Sequence, residues 1–181
     1  MRLGIADHFG WAIAVTASDD HTVVDRRRIE IVEPGVTPAP FHYDSKKLDD
    51  DATAALVEAV RSSVVRATST SLDELAAALP EPITSMALRA LPKTFPDDIA
   101  TLRRPPYESR ADAVMYRRVL VELAEASGWQ VHFYDAKSVV RDATDLLGDR
   151  ADDVLNGPRA VLGPPWTNDH RMALAATIVR G

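Results

Sequence analysis

The sequence predicts an α/β fold: a mixed five-stranded sheet, three antiparallel strands followed by two parallel strands, flanked by helices. Three apolar segments follow one another within residues 2–32, and the turns between them are so short that neighbouring strands must be antiparallel. Segments with helical periodicity then alternate with two further apolar segments, the pattern of parallel strands joined by helices. The chain has 181 residues, so we expect a single domain over residues 1–181.

The first three strands are predicted at residues 3–7, 11–16 and 22–32, where apolar and β-branched residues predominate. Phe9 and Gly10 supply the turn between the first two strands. A long connection follows over residues 33–50, and several prolines in it argue against a regular helix or strand.

Two helices and a fourth strand are predicted next. The three aspartates at residues 49–51 favour a helix N-terminus, and apolar residues follow at helical spacing over residues 52–64. Ser71 and Glu74 have the spacing of a capping box, which predicts that a second, short helix begins there. After two prolines, residues 83–91 are predicted as the fourth strand.

The second half of the chain alternates helices with the fifth strand. An amphipathic helix is predicted from Tyr107 to Gly128, where glycine provides the C-terminal stop. Residues 129–134 form the fifth strand, and a helix follows over residues 139–147. A short acidic helix is predicted around residues 151–155, and the closing helix begins near residue 168.

Composition limits both the class of protein and the kind of site. Hydrophobic residues make up 46% and charged residues 27% of the chain, as in ordinary folded proteins. No segment approaches the roughly 20 apolar residues of a membrane-spanning helix, and the N-terminus has no signal-type region. We therefore expect a cytoplasmic protein with no membrane partner. Cysteine is absent, so any metal would need oxygen or imidazole ligands.

Positive charge and aromatic residues give little indication of a nucleic-acid surface. The net charge of −6 argues against broad, nonspecific binding to phosphates but leaves room for a local basic groove. The arginines at residues 26–28 are predicted on a strand, where a solvated edge is the ordinary interpretation. Trp11, Trp129 and Trp166 adjoin apolar elements and are expected at the core or its rim, since a base-stacking platform would need them exposed together.

Two carboxylates lie near the two ends of the chain, and in one compact α/β domain these ends can meet at the edge of the central sheet. Asp7 ends the first strand and Asp169 opens the last helix. Paired carboxylates in a cleft can hold a divalent cation. His8 and His170 each adjoin one of these acids, so they could complete a metal set or act as general acid and base. Lone histidines are also common on ordinary surfaces.

Three segments of the chain resemble the ribonuclease H-like superfamily, and the Holliday-junction resolvase branch most closely. The GIADHFG segment at residues 4–10 resembles the first-strand signature, in which an acid is followed shortly by a hairpin glycine. The helix at residues 110–114 and the segment 131–139 resemble the corresponding helix, fifth strand and following helix. Residues 168–175 resemble the closing helix, where an acid precedes a run rich in alanine and leucine.

This resemblance implies a metal-dependent nuclease site. Three or four carboxylates would hold two cations, Mg²⁺ or Mn²⁺, that activate water and stabilise the leaving oxygen. The resemblance assigns Asp7 and Asp169 to this site. Asp135, which follows the fifth strand where α/β sheets place functional groups, is the third candidate metal ligand, and His170, next to Asp169, joins Asp7 and Asp169 as a candidate catalytic residue. The family's second acid, at the end of the fourth strand, has no counterpart here. Arg89 lies near that position and could neutralise Asp7 in place of a metal.

Each carboxylate also has a structural interpretation. Asp7 could cap the hairpin turn through the amides of Phe9 or Gly10, and Asp169 could complement a helix dipole. Asp135 is a good N-cap for the helix that follows it. Glu108 and Asp112 lie one helical turn apart and could replace the missing acid, although two solvated carboxylates are the simpler interpretation. 

Two functions of different classes follow from these observations. The first is a divalent-metal-dependent nuclease or resolvase acting on nucleic acid phosphodiesters. The second is a noncatalytic ribonuclease H-like domain that binds a protein or nucleic-acid partner, including a second copy in a homodimer. An actin-like phosphate-binding unit, suggested by Asp7 and Gly10, needs two lobes and more residues than this chain has.

Overall fold

A computed structural model describes residues 1–179 and contains one mixed sheet of five strands. The strands are β1 (Arg2–Asp7), β2 (Trp11–Ala17), β3 (Val23–Glu30), β4 (Ser85–Arg89) and β5 (Gln130–Tyr134). Their order across the sheet is β3-β2-β1-β4-β5. The first three strands pair antiparallel, and β4 and β5 continue parallel to β1. The predicted α/β fold with a mixed five-stranded sheet is therefore confirmed.

Helices cover both faces of this sheet. They are α1 (Asp50–Ala77), α2 (Ile99–Leu102), α3 (Glu108–Ala126), α4 (Val139–Leu147), α5 (Ala151–Leu155), α6 (Pro158–Leu162) and α7 (Asn168–Ile178). One core cluster joins α1 and α3 to one face of the sheet, and a second joins α4, α5 and α7 to the other face. Both faces of β1 are consequently buried. Within residues 1–179, no helix is long and apolar enough to cross a membrane.

The last helix, α7, packs closely against β1 at Gly4. A Cβ atom at Gly4 would lie 1.8 Å from the carbonyl oxygen of Ala173, so only glycine fits at this position. The small residues of α7 allow the same approach from the other side. This contact places the first turn of α7 beside the C-terminal end of β1.

The second helix predicted at Ser71 does not exist as a separate element, because α1 continues without a break to Ala77. Its buried stripe runs on through Leu72 and Leu75, and no proline or glycine interrupts it. The Ser71 hydroxyl donates a hydrogen bond to the carbonyl of Glu30 at 2.7 Å instead of capping a helix. A tertiary contact thus replaces the local cap that the spacing indicated.

The long connection after β3 is anchored to α3. It forms a π-helical turn at Pro40–Asp44, and the Asp112 carboxylate accepts hydrogen bonds from the amides of Phe41 and His42, both at 3.0 Å. Asp112 is fully buried, so its interpretation as a solvated residue is wrong; Glu108 is half-buried. Burial raises the pKa of Asp112 to about 6, although its two backbone hydrogen bonds oppose this shift.

The segment before α7 contains one helix that the sequence did not predict, α6. Arg26 on β3 fixes the end of α6 and the segment that follows α6, because it donates hydrogen bonds to the carbonyls of Leu162 (2.8 Å) and Pro165. The indole of Trp166 donates to the carbonyl of Leu155 at 2.8 Å. The three tryptophans are half-buried at the edges of the core, as expected.

Candidate functional site

The C-terminal end of β1 and the N-terminal turn of α7 meet at one edge of the sheet. Nε2 of His8, directly after β1, lies 3.1 Å from Oδ2 of Asp169 in α7. Because β4 runs parallel to β1, the end of β4 also reaches this edge and brings Arg89 to the same place. The structure therefore brings residues from both ends of the chain to this edge.

Asp7 is buried and paired with arginine. Its side chain is only 3% exposed, and Oδ2 accepts a hydrogen bond of 2.9 Å from Nε of Arg117 on α3. Oδ1 lies 3.8 Å from Nε of Arg89, and among residues 1–179 it has no hydrogen-bond partner. The hairpin turn is closed by the amide of His8, which donates to the carbonyl of Trp11. Asp7 thus pairs with a cation instead of capping the turn.

Arg89 lies between the two carboxylates that the sequence singled out. Its guanidinium approaches Asp7 to 3.8 Å and Asp169 to 4.0 Å. It also donates to the backbone carbonyl of Asp7 at 3.1 Å and contacts the sulfur of Met172 at 3.6 Å. A single positive group therefore occupies the space where a bridging cation would contact both acids, and the expectation that Arg89 could neutralise Asp7 agrees with this geometry.

The residues present do not fit a two-cation centre. In the described part of the chain, no three His, Asp or Glu side chains converge as a metal-binding group. Asp135 is exposed, and its Oδ1 accepts a hydrogen bond of 2.9 Å from the amide of Lys137, in the turn that leads into α4. Asp135 therefore stabilises this turn, and the interpretation of Asp135 as the N-cap is wrong, because α4 begins later, with Ser138 at the N-cap. The predicted metal set of Asp7, Asp135 and Asp169 is not brought together.

His170 is buried at the start of α7, where it caps the helix. Its Nδ1 accepts a hydrogen bond from the amide of Thr167 at 3.2 Å and lies 2.8 Å from the hydroxyl of the same residue. Burial lowers the pKa of His170, and the charge of Arg26 lowers it further against the opposing effect of Asp169. A neutral ring with Nδ1 as acceptor is the form that this cap needs. The geometry thus supports a structural role for His170.

A basic and aromatic strip extends from this site across β2 and β3. We use "the basic strip" for His8, Trp11, Arg26, Arg28, Arg89 and Arg117. His8 stacks on the Trp11 ring with centroids 4.1 Å apart, and the Arg28 guanidinium lies 4.3 Å from the same ring. Two adjacent cavities, of about 500 Å³ beside Arg26 and about 290 Å³ beside Arg117, follow this strip.

Sequence reasoning missed Arg117. No local pattern distinguished Arg117 from the other charged residues of α3. Arg117 is half-buried and lines the cavity beside Asp7, and a charge in this position needs the partner that Asp7 provides. No protein-family model, curated protein or solved structure matches this chain. The geometry around Asp7 is therefore the main guide to function.

Proposed function

We propose that this chain is a noncatalytic ribonuclease H-like domain that binds nucleic acid without a metal. Two features support the fold assignment. The sheet has three antiparallel strands followed by two parallel ones, as the resemblance implies. The acids at the positions that the resemblance assigns, Asp7 and Asp169, both lie within 4.0 Å of the same guanidinium.

The position of Arg89 between Asp7 and Asp169 is the observation that carries this proposal. A divalent cation in the same space would face two guanidinium groups, those of Arg89 and Arg117, within a few ångströms. The repulsion between such charges is strong where the surroundings exclude water. Asp7 already forms an ion pair with Arg117 and lies 3.8 Å from Arg89, so a metal would have to compete with both guanidinium groups to bind this carboxylate. Metal-activated hydrolysis is thus disfavoured here.

The basic strip supplies the groups that a nucleic acid would contact. Guanidinium groups bind phosphate oxygens with paired hydrogen bonds, and aromatic side chains beside them add stacking. Asp7, Arg89 and Arg117 all line the cavity, and the two guanidinium groups are more exposed there than the buried carboxylate between them. Because the whole chain carries a net charge of −6, phosphate binding would be confined to this strip.

Binding of labelled single-stranded, duplex and branched DNA and of RNA tests this proposal by fluorescence anisotropy, in EDTA and in Mg²⁺ or Mn²⁺. We expect binding that is equally strong in EDTA, weakens with salt and leaves the strands intact. Arg28→Gln should weaken it severalfold, because Arg28 is exposed on the strip. Arg141→Gln is the matched control, since this exposed arginine lies on α4 away from the strip.

Two outcomes would contradict the proposal. Metal-dependent cleavage that Asp7→Asn abolishes would favour the nuclease function over the noncatalytic one. Failure to bind any of these nucleic acids at about 100 μM, near the weak end of ordinary nonspecific affinity, would instead direct the search to a protein partner.

A further inference from the structure

A separate cavity lies between α1, α3 and the segment before α3. Its volume is about 280 Å³. The walls come from α1, α3 and residues 95–102, and Phe41 of the π-helical turn contributes to the lining. None of the residues that line this cavity belongs to the basic strip.

The interior of this cavity is apolar and held in place by the fold. Phe41, Leu102 and Ala111 form a buried cluster, and Phe95 and Ile99 pack against it. The hydrogen bond from the Phe41 amide to the buried Asp112 fixes the backbone of Phe41, and with it the position of the phenyl ring. A preformed apolar cavity of this kind is the usual setting for a small-molecule site.

Two ion pairs form the rim of the cavity. Arg61 on α1 donates to Glu122 on α3 at 2.6 Å, and Arg118 on α3 donates to Asp97 at 2.9 Å. Asp97 is 79% exposed and lies in a segment without helix or strand, whereas Arg118 is held on a long helix. An exposed pair of this kind contributes little to stability, so Asp97 can leave Arg118 at small cost.

We propose that this cavity binds a small apolar molecule that carries one carboxylate. The apolar part would lie against Phe41, Phe95 and Ile99, and the carboxylate would replace that of Asp97 on Arg118. The rim carries two guanidinium and two carboxylate groups, so the preference for an anion depends on which group can move. The carboxylate of Asp97 is the one most easily displaced, and it leaves behind the guanidinium of Arg118. Arginine also matches a carboxylate with two parallel hydrogen bonds.

The size of the cavity limits the ligand. A group of about the volume of a water molecule occupies roughly 30 Å³, so the cavity holds roughly nine such groups. An eight-carbon chain whose carboxylate lies at the rim fits this limit. Octanoate is therefore a suitable probe, and octylamine and 1-octanol are probes of equal length with a positive and a neutral head group.

Titration of ¹⁵N-labelled protein with these three probes, followed by amide NMR shifts, tests the site. Octanoate should bind most tightly and shift the amides of Val57, Phe95 and Ile99. Arg118→Gln should weaken octanoate binding about fivefold, the effect of one exposed charge pair, and should leave 1-octanol binding unchanged. Val57→Phe should weaken the binding of both octanoate and 1-octanol, because the larger side chain fills the cavity. Arg141→Gln, on the other side of the sheet, should change neither.

Equal binding of octylamine and octanoate to the unsubstituted protein would overturn the proposal, as would shifts confined to other parts of the molecule. An octanoate affinity that Arg118→Gln leaves unchanged would do the same. Because Arg118 is exposed, this variant should fold, and its amide spectrum without ligand checks that it does. The result is independent of nucleic-acid binding, since the basic strip shares no residue with this cavity.

Discussion

Nε2 of His8 lies 3.1 Å from Oδ2 of Asp169, and this contact ties the first hairpin to the last helix across 161 positions of sequence. It fixes the first turn of α7 at the end of β1, where Asp169 also approaches Arg89. The two carboxylates predicted to share a cation therefore share a guanidinium. The Arg89 guanidinium thus occupies the space between Asp7 and Asp169 in which a shared cation would have to lie.

Replacing Arg89 should create a cation site. Arg89→Asp removes the guanidinium between Asp7 and Asp169 and adds a carboxylate beside them. We expect the variant to be destabilised without metal and to be stabilised by Mn²⁺, by about 2.7 kcal/mol at a hundredfold excess over its Kd. Thermal unfolding with and without Mn²⁺ measures this effect. Arg118→Asp, an exposed change on α3, controls for added negative charge.

The unsubstituted protein should show no Mn²⁺ stabilisation that depends on Asp7. Stabilisation lost in Asp7→Asn would mean that a metal can displace the arginines, and the proposed noncatalytic function would then be wrong.

Replacing Arg117 should destabilise the protein, because Asp7 would stay buried without its ion-pair partner. In Arg117→Met the carboxylate loses its 2.9 Å hydrogen bond while remaining buried. We expect the free energy of unfolding to fall by about 3 kcal/mol, the cost of breaking a buried ion pair. Urea denaturation measures this change. The double variant Asp7→Asn, Arg117→Met should lose clearly less than the sum of the two single changes; additive losses would show that the pair is not coupled.

The buried Asp112 should make stability depend on pH. Its pKa is about 6 in the folded protein against 3.8 for the free side chain, so the folded state keeps this proton where the unfolded chain has lost it. The stabilisation is present below about pH 4 and is lost as the pH rises through 6, by about 3 kcal/mol for a shift of this size. Urea denaturation from pH 4 to 7 measures it.

Other carboxylates titrate over the same range, so the difference between the natural protein and Asp112→Asn isolates this residue. As the pH rises, the free energy of unfolding of Asp112→Asn should increase relative to that of the natural protein. A difference that stays constant from pH 4 to 7 would show that Asp112 is ionised throughout.

Gly4 should tolerate no side chain. In Gly4→Ala the added Cβ would lie 1.8 Å from the carbonyl oxygen of Ala173, which forces α7 away from β1. We expect a loss of about 3 kcal/mol in the free energy of unfolding, the upper part of the usual range for overpacking. Gly35→Ala is the control, since it has open space and a φ of +83°, and should cost only about 1 kcal/mol. Calorimetry measures both losses of stability. Equal losses in Gly4→Ala and Gly35→Ala would contradict the close packing of Gly4 against Ala173.

The regular elements were accessible from sequence because their signals are local. Alternating apolar residues and short turns indicated β1 to β3, and helical spacing with a glycine stop indicated α3. The false helix boundary at Ser71 shows the limit of such signals, since the hydroxyl bonds to Glu30 on another element. Capping motifs describe a residue's own neighbourhood and carry no information about distant acceptors.

Local patterns in the sequence were enough to predict the five strands and the order of the elements along the chain, because periodicity and connection lengths restrict how strands can pair. Those patterns allowed Asp7 and Asp169 to meet, but their approach to one guanidinium and the groups around them depend on tertiary packing. Arg89, Arg117 and His8 come from three different elements, and their meeting at Asp7 and Asp169 depends on how helices pack on the sheet. The charge balance of a site is a property of this packing, so it appears only when distant residues are brought together.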